Sequence, residues 1–456
     1  LDENAWKNAQ PATDFIQTEP TPGLPATFST EAFFLYDNNA VYIGARMLDP
    51  EPHKILKELS LRDQMGNADY FGVFFDTYKS GINGFNFFLT ASGVQKEGVV
   101  TNHKDDSNWN AVWESAVTQD DKGWYVEIKI PYSSLRFPSV DVQEWNVQFA
   151  REIRRFRETS YWSPIDPTIS GWVQQSGSVT GIKNIKSPVR LSLTPYVSGY
   201  INTTYDPLAS QKKLSTGTAY SAGLDLKYGI NDAFTLDMTL IPDFGQVISD
   251  RQVLNLSPFE VFFEENRQFF TEGTELFNRG RLFYSRRIGG RPLNYGKVES
   301  QLKEGETIIN NPETSQLFNA TKVSGRTVTG LGIGGFNALV GEEFATVRAS
   351  NGSEREIRTN PMTNYNVLVL DQNLKNNSYV SLVNTNVYRL GSDYDANATG
   401  GFFNIRTQNQ KYMVSGSGVV ANQFYTDRTQ KGFTYNLEMG KISGNWTYSL
   451  AHGIES

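Results

Sequence analysis

The residues best suited to bind a ligand lie between positions 102 and 113. Trp109 and Trp113 stand there among amides and carboxylates, and flat indole faces beside aimed polar groups are what a sugar ring and its hydroxyls require. We therefore predict ligand contacts from Trp109, Trp113, Asn108 and Asn110. Core packing is the alternative for both tryptophans, and it is the stronger interpretation for Trp113, which falls in a strand-like run.

Asp105 and Asp106 in the same stretch predict a structural Ca²⁺ site, because hard cations prefer oxygen ligands. A solvated acidic turn is the competing interpretation, and the spacing fits no EF-hand loop. The three histidines are far apart in sequence. No H-E-x-x-H motif, singled-out glycosidase carboxylate pair or G-x-S-x-G elbow is present. We therefore expect no catalytic residues and no other cofactor.

The composition limits the class of protein. At 456 residues the chain is long enough for two or three domains, and its net charge of -7 argues against a nucleic-acid partner. No stretch approaches the roughly 18 to 20 consecutive apolar residues of a spanning helix, so a bilayer would have to be crossed by a closed sheet. The chain has no cysteine and opens on Leu1 without signal-peptide features, which predicts a processed or trimmed product.

Alternating polar and apolar residues follow from position 191 onward. Phe433, Tyr435, Leu437 and Met439, for example, alternate with polar neighbours, so that one face suits lipid and the other suits water. We therefore predict an all-β protein with an antiparallel transmembrane β-barrel over residues 190–456. Its eleven predicted strands lie at about 191–203, 219–230, 233–246, 317–325, 327–348, 363–372, 378–390, 396–407, 410–422, 432–441 and 443–453.

The predicted connections between these strands are alternately short and long, with the short seventh connection as the exception. Outer-membrane barrels have short turns in the periplasm and long loops outside, so the first strand should start in the periplasm. Bacterial single-chain barrels usually have an even number of strands. The odd count therefore predicts that at least one further C-terminal strand is lacking from this sequence.

Residues 1–185 are typical of a soluble β-sandwich, because short strands with apolar residues on both faces alternate there with turn signals. On the turn rule this sandwich lies in the periplasm. The segment from Pro52 to Met65 is the one predicted helix, and the polar stretch from Lys183 to Arg190 is the predicted link. The candidate strands are Ala32 to Tyr36, Ala40 to Leu48, Tyr70 to Asp76, Gly84 to Thr90, Ala111 to Val117, Gly123 to Pro131 and Glu144 to Glu152.

The third barrel connection, at about 247–316, combines many acidic and basic residues with phenylalanines. A loop of this length can fold inward and constrict the lumen, where charge pairs line a pore. The alternative is that its ions pair with one another and brace the loop against the wall. The wall charges Asp225, Lys227 and Asp237 are expected to face the lumen, because a basic side chain against lipid costs up to about 4 kcal/mol.

Short motifs in both parts resemble known families. In the first part, LDENAW (1–6), DYFGVFFDT (69–77) and WYVEIKIP (124–131) resemble the family 9 carbohydrate-binding-module-like sandwich. In the second part, IPDFGQ (241–246) and FFEENRQFF (262–270) look like the barrel half of the Bacteroidota envelope family known as domain of unknown function 5916. The resemblance implies an outer-membrane location and a sugar-binding-type fold, but no established reaction.

Three functions are compatible with these features. The leading interpretation is a non-enzymatic outer-membrane barrel with a periplasmic carbohydrate-binding-like domain, which acts in glycan or solute binding and uptake. Its partners would be outer-membrane lipid, glycan and other envelope proteins. The second interpretation is a scaffold or accessory subunit of a larger outer-membrane or secretion assembly. The third is a glycoside hydrolase, because modules of this kind are often fused to enzymes.

Overall fold

The computed structural model describes the chain except for residues 2, 102–103, 107–108, 110, 139, 170, 187–190, 206–213, 232, 244–261, 264, 266, 272–275, 328, 392 and 456. The described residues are almost entirely β-strands and their connections, which confirms the predicted all-β class. None of the helices in the described ranges is long and apolar enough to span a membrane.

The first part of the chain is a two-sheet sandwich preceded by a short helix α1 (Asn4–Lys7). Its strands are β1 (Ile16–Glu19), β2 (Thr30–Tyr36), β3 (Ala40–Leu48), β4 (Tyr70–Asp76), β5 (Asn83–Thr90), β6 (Gln95–Thr101), β7 (Lys104–Asp106), β8 (Glu114–Gln119), β9 (Gly123–Pro131), β10 (Val142–Ile153), β11 (Glu158–Tyr161) and β12 (Gly177–Lys183). The smaller sheet has the order β2-β3-β9-β8. The larger has the order β1-β11-β10-β4-β5-β6-β7, with β12 beside β10.

The sandwich core lies between the two sheets. It is built from alternate residues of both, as expected when each strand turns one face inward. Its largest fully buried apolar side chains include Trp124, Trp145, Phe71, Phe75 and Phe87. Phe75 meets both Trp145 and Phe87 edge to face, with ring centroids 6.2 and 6.1 Å apart. The DYFGVFFDT motif therefore lies at the centre of the core.

All seven predicted sandwich strands overlap observed strands, but the predicted helix from Pro52 to Met65 is wrong. Only the single 3-10 turn Pro52–Lys54 forms there, and the chain then runs extended to a bridge between Lys57 and Ala68. Arg62 explains this course, because its guanidinium reaches the buried carboxylate of Glu97 at 2.6 Å. A helix would carry that side chain away from its partner.

Arg151 joins the two sheets from inside the core. Its guanidinium donates to the carbonyl oxygens of Ser29 at 3.0 Å and Leu48 at 2.9 Å, and to the hydroxyl of Thr30 at 3.0 Å. Burial lowers the pKa of Arg151 to about 10, while Asp69 opposes that shift. Arg151 therefore stays charged at neutral pH and donates to buried backbone acceptors, of which the Ser29 carbonyl oxygen also accepts from the Leu48 amide.

Asp69 should make the stability of the sandwich depend on pH. Burial raises the pKa of its carboxyl group from 3.8 to about 6, against a hydrogen bond from the Arg154 amide. Because the folded state then binds the proton more tightly, this contribution to stability is fully present below pH 3.8 and is lost as the pH rises through about 6. We expect Asp69→Asn to flatten this dependence in thermal unfolding between pH 4 and pH 7.5. An equally steep profile in the variant would contradict the assignment.

The second part contains eleven long strands in one antiparallel sheet and three short strands in another. The strands are β13 (Leu191–Tyr205), β14 (Leu214–Gly229), β15 (Phe234–Leu240), β16 (Thr307–Asn310), β17 (Leu317–Arg326), β18 (Leu331–Val340), β19 (Glu343–Arg348), β20 (Glu354–Asn360), β21 (Thr363–Leu374), β22 (Ser378–Arg389), β23 (Asp395–Arg406), β24 (Tyr412–Phe424), β25 (Thr429–Lys441) and β26 (Tyr448–Glu455). The short helix α2 (Gln268–Thr271) lies between β15 and β16.

The eleven-stranded sheet has the order β13-β14-β15-β17-β18-β21-β22-β23-β24-β25-β26, which confirms the predicted strand count. Within the described residues, β13 and β26 are the two ends of the sheet and do not pair with each other. The small sheet, β16-β19-β20, was not predicted. The sequence pattern merged β18 and β19 into one strand at 327–348, whereas Gly341 and Glu342 separate them.

The large sheet has one apolar face that points away from the rest of the protein. Phe433, Tyr435, Leu437 and Trp446 expose 50, 37, 43 and 65% of their surface. Leucines, valines and isoleucines at the outward positions of the other strands are exposed in the same way. A contiguous apolar surface of this extent is uncommon on a water-exposed protein face. We call it the outward face, and the opposite one the inner face.

The inner face carries polar residues and is covered by part of the connection between β15 and β17. Asp237 is buried there, and the register places Lys227 and Lys322 directly opposite it on the neighbouring strands. Asp225 lies on the same face of β14, opposite Thr239. The register therefore places Asp225, Lys227 and Asp237 on one face of the sheet, as predicted. That this face lines a lumen stays a prediction.

The sandwich touches the large sheet at a short turn between β21 and β22. A side chain built on Gly81 would lie 3.3 Å from the Asn377 amide oxygen and 3.4 Å from Gln174. Gln174 follows Trp172, which packs edge to face on Phe74 at 4.7 Å. The segment around Trp172 therefore lies next to this contact, on the short-turn side of the sheet.

Candidate functional site

Residues Ala111 to Trp113 are held by one buried carboxylate, that of Glu97. Glu97 accepts hydrogen bonds from the Trp113 indole at 3.0 Å and from the Ala111 amide at 3.1 Å. Arg62 reaches the same carboxylate at 2.6 Å and also donates to the Ala111 carbonyl at 3.2 Å. Buried carboxylates need such partners, so these contacts explain how Glu97 fixes Ala111 and Trp113.

Both tryptophans that were predicted to contact a ligand point toward the core. Trp113 is only 5% exposed and meets Phe87 edge to face at 5.5 Å, so its ring faces are covered. The predicted ligand contact from Trp113 is therefore corrected to a core contact, because its indole fills the end of the sandwich. Trp109 is half-buried on Phe85 and Phe87, at 5.3 and 6.0 Å. Asn108 and Asn110 lie outside the described residues.

Asp105 lies on the other side of the larger sheet, away from the tryptophans. Its carboxylate accepts a hydrogen bond from the Asn86 amide at 2.6 Å and pairs with the Lys96 ammonium at 3.3 Å. The Lys96 ammonium also lies 5.8 Å from the centre of the Phe88 ring. Phe88 in turn meets Tyr70 edge to face at 5.4 Å. These five residues, Tyr70, Asn86, Phe88, Lys96 and Asp105, form what we call the aromatic face.

The aromatic face has the chemistry that the sequence prediction sought at Trp109 and Trp113. Two partly exposed rings offer apolar contact area, and an ammonium, a carboxylate and an amide stand beside them. Phe88 lies directly over Gly72, where a side chain would meet the ring at 2.3 Å. The amide oxygen of Asn86 is buried and has no hydrogen-bond partner among the described residues.

Sequence reasoning missed Tyr70 and Phe88 because β4 and β5 carry aromatic residues on both faces. Such a pattern cannot distinguish the core side of a strand from a ligand side. The glycine at position 72, next to two aromatic residues in the same strand, was the signal that a ring from the neighbouring strand needs room there.

Of the two predicted Ca²⁺ ligands, Asp105 has a described side chain. Asp105 has a lysine ammonium as its counterion, which disfavours a second cation. Asp106 is next to it in β7, opposite Val99, and its side chain lies outside the described part. Within the described ranges, no three histidine or acidic side chains are grouped closely enough to hold a metal. A calcium ion at Asp105 and Asp106 stays a prediction.

A second candidate site lies on the inner face of the large sheet, around Asp371. The Asp371 carboxylate pairs with Arg279 at 2.9 Å and with Arg326 at 2.5 Å, and it also accepts a hydrogen bond from the Ser381 hydroxyl. Arg279 belongs to the connection before β17, whereas Asp371, Arg326 and Ser381 belong to the sheet. The Arg279 guanidinium also lies over the Tyr379 ring at 4.1 Å. Asp371 therefore holds the connection between β15 and β17 against the large sheet.

The same connection packs apolar side chains on the inner face. Phe270, Leu276, Phe277 and Ile288 share a buried cluster with residues of β17, β18, β21 and β22. Gly280 contacts the Phe402 ring so closely that a side chain there would lie 1.9 Å from it, and its φ of +64° also favours glycine. We call the described residues between 262 and 288 the plug, because they cover the inner face.

The plug is also held by ion pairs of its own. Arg267 pairs with Glu265 at 2.7 Å and donates to the carbonyl oxygens of Ile288 at 2.6 Å and Ser285 at 2.8 Å. Two of the described arginines of the third connection, Arg267 and Arg279, pair within the plug or with the large sheet, as the bracing alternative predicts. That the connection constricts a pore stays a prediction. Four more acidic residues of the connection, Glu260, Glu264, Glu272 and Glu275, lie outside the described residues.

These features define a two-part all-β protein: a sandwich with a ligand-type aromatic face, followed by a large antiparallel sheet that is apolar outside and plugged inside. Residues 187–456, more than half of the chain, match the domain of unknown function DUF5916. The chain belongs to the DUF5916 family. Residues 1–153 match the carbohydrate family 9 binding domain-like family, as the motifs predicted.

No curated protein matches the sequence. Among solved structures, the chain is similar to OmpT, an outer membrane protein of Vibrio cholerae, with 11% identity and a TM-score of 0.23. The match covers 58% of this chain and 85% of the OmpT chain. A loop L8 deletion mutant of OmpT has 12% identity and the same TM-score, covering 58% of this chain and 93% of its own. At such TM-scores these similarities carry no argument about this chain.

Proposed function

We propose that this chain is a non-enzymatic outer-membrane protein whose large sheet is the lipid-facing wall of a plugged β-barrel and whose sandwich binds glycan in the periplasm. The observation that carries the proposal is the exposed apolar outward face opposite a charged, covered inner face. Lipid favours such a face, whereas charged wall residues need water or partners. Binding at the sandwich and gating by the plug would together serve glycan or solute uptake.

The aromatic residues of the outward face support the membrane placement. Tyr228, Tyr412, Trp446 and Tyr448 are exposed near the short turns. Tyr220, Tyr388 and Phe424 are exposed toward the opposite ends of their strands. Rings at both ends of an apolar band are typical of transmembrane barrels, where they lie at the two lipid-water interfaces.

The plug supports a closed resting state. In a planar bilayer we expect the wild-type chain to conduct little, because its plug is fastened by buried ion pairs. Cross-linking a cysteine at Leu276 to one at Gly334 tests geometry without removing charge, because a Cβ built on Gly334 would lie 3.4 Å from the Leu276 Cβ. The chain has no other cysteine to interfere. If open-channel events occur as often in the cross-linked protein as in the uncross-linked control, gating by the plug is wrong.

The aromatic face supports glycan binding by the sandwich, and its test uses the full chain on a glycan array. We expect Phe88→Ala to reduce specific binding about tenfold or more, since ring contacts supply most of the apolar surface in such sites. Trp109→Ala, outside this face, is the matched control and should retain binding if the variant folds. If Trp109→Ala loses glycan binding and Phe88→Ala keeps it, the glycan site lies at the tryptophan cluster and not at the aromatic face.

A second function is favoured by one observation on the sandwich. Leu59, Leu61 and Val112 are 79, 73 and 83% exposed, and the contact between Arg62 and Ala111 brings their two segments together. Apolar side chains grouped in this way are typical of a protein-binding surface. A scaffold subunit is expected to bind no glycan on the array and to co-purify with envelope proteins. The double variant Leu59→Ser, Leu61→Ser should then no longer co-purify with them.

A further inference from the structure

A groove crosses the outward face of the large sheet between β21 and β24. It has a volume of about 530 Å³, and its wall and floor are mostly apolar, formed by Leu370, Val380, Leu382, Gly401, Phe403 and Gly418. Leu370, Leu382, Gly401 and Gly418 lie directly side by side in the register. Side chains built on Gly401 or Gly418 would meet nothing within 4 Å. The two glycines therefore form the floor of a depression between larger apolar residues.

A patch of amides lies immediately beyond one end of the groove. Asn384 is two residues from Leu382 on the same face of β22, about 7 Å along the strand. Its amide donates to the Thr399 hydroxyl at 2.7 Å and to the Asn397 amide oxygen at 3.3 Å. Asn337 on β18 donates to Asn366 at 2.8 Å and Asn364 at 3.1 Å on β21. All of these side chains are partly exposed.

The amide patch continues sideways along one row of the sheet. The register places Asn337, Asn366, Asn386, Asn397 and Asn422 next to one another across five strands. Within the described part of the chain, the Asn386 and Asn422 side chains make no hydrogen bond, so their groups are open to a ligand. Partly exposed amides in an otherwise apolar face are costly unless they meet water or a polar partner.

The patch has no net charge. Among the outward positions of β18 and β21 to β24, all of which are described, Asp395 at the far end of β23 is the one charged residue, and it accepts a hydrogen bond from the Arg389 amide. A phosphate headgroup would find no cation here. Hydroxyl groups suit the patch, because each amide both donates and accepts hydrogen bonds.

We propose that the groove and the patch together bind one membrane glycolipid, with an acyl chain in the groove and an uncharged sugar headgroup on the asparagines. This inference rests on the lipid-facing placement proposed above. The order along the strands fits an amphiphile: the groove begins near the short turns, and the amides follow toward the opposite strand ends, where an aromatic ring such as Tyr388 is exposed. The headgroup therefore points away from the short turns.

Native mass spectrometry of the full chain in detergent tests this proposal. The probes are a monoglucosyl diacylglycerol, a phosphatidylglycerol with the same acyl chains, and methyl glucoside. We expect one retained glucosyl lipid per chain, about tenfold weaker retention of the phospholipid, and no competition by methyl glucoside. Equal retention of the two lipids, or full competition by the free sugar, would overturn the assignment.

Matched variants locate the site. Gly401→Leu fills the groove and should reduce retention of both lipids at least about tenfold, whereas Gly335→Leu, also outward and open but outside the groove, should not. Asn384→Leu should reduce retention of the glucosyl lipid alone. Flotation of the wild-type chain with lipid vesicles is measured separately. A chain that floats but retains both lipids equally overturns only this inference, whereas a chain that does not float overturns the membrane proposal as well.

Discussion

Replacing Asp371 with alanine is expected to lower the free energy of unfolding by about 3 to 5 kcal/mol, because it leaves the buried Arg279 and the mostly buried Arg326 without their counterion. Asp371 is buried and faces both Arg279 and Arg326. We expect the plug to detach first, since Arg279 is its anchor on the wall. Urea unfolding of the chain in lipid vesicles, followed by the strand signal in circular dichroism, measures the loss.

The control for Asp371 is an ion pair on the surface of the small sheet. Arg348 pairs with Glu354 at 2.6 Å, but both side chains are about half exposed. Exposed pairs contribute about 0 to 1 kcal/mol, so Glu354→Ala should have little effect. If Asp371→Ala costs no more than Glu354→Ala, the plug is not held by the Asp371 cluster.

Replacing Arg151 with methionine is expected to destabilise the sandwich by about 3 kcal/mol, since three buried acceptors lose a donor and an acceptor left unsatisfied costs about 1 to 3 kcal/mol. The methionine keeps much of the side-chain volume, so the loss reports hydrogen bonding and not a cavity. The acceptors are the carbonyl oxygens of Ser29 and Leu48 and the Thr30 hydroxyl.

Tryptophan fluorescence measures the Arg151 effect, because seven of the eight tryptophans lie in residues 1–185. Arg154 is the matched control, since its guanidinium is partly exposed and pairs with Glu152 at 3.0 Å. Arg154→Met should change the unfolding free energy by less than about 1 kcal/mol. Equal effects of the two substitutions would show that Arg151 does not join the sheets.

The strands of the large sheet could be predicted from sequence because their signal is local. A strand with one face toward lipid and one toward a polar interior must alternate with period two, and segments such as Phe433 to Met439 do so over their whole length. The plug could not be placed in the same way. Its attachment depends on Arg279 reaching Asp371, 92 residues away in sequence, and no spacing rule links them.

The sandwich shows the same limit at its candidate site. Its strands were recognised, but the ligand side was not, because Tyr70 and Phe88 are aromatic residues in strands whose other face also carries aromatic residues. Trp113 is an aromatic residue among polar ones in the sequence and was therefore predicted to contact a ligand. In the structure it is buried, and its indole donates a hydrogen bond to Glu97. Which face of a strand meets solvent is decided by the opposite sheet, and sequence reports that only when the two faces differ in polarity.

The most direct test of the account is the accessibility of β25 from lipid. The chain has no cysteine, so single cysteines at positions 433 to 439 can each carry a fluorescent label in the full chain folded into vesicles with brominated acyl chains. We predict strong quenching at 433, 435, 437 and 439 and weak quenching at 434, 436 and 438. Uniformly weak quenching, or quenching without this alternation, would contradict a lipid-facing outward surface.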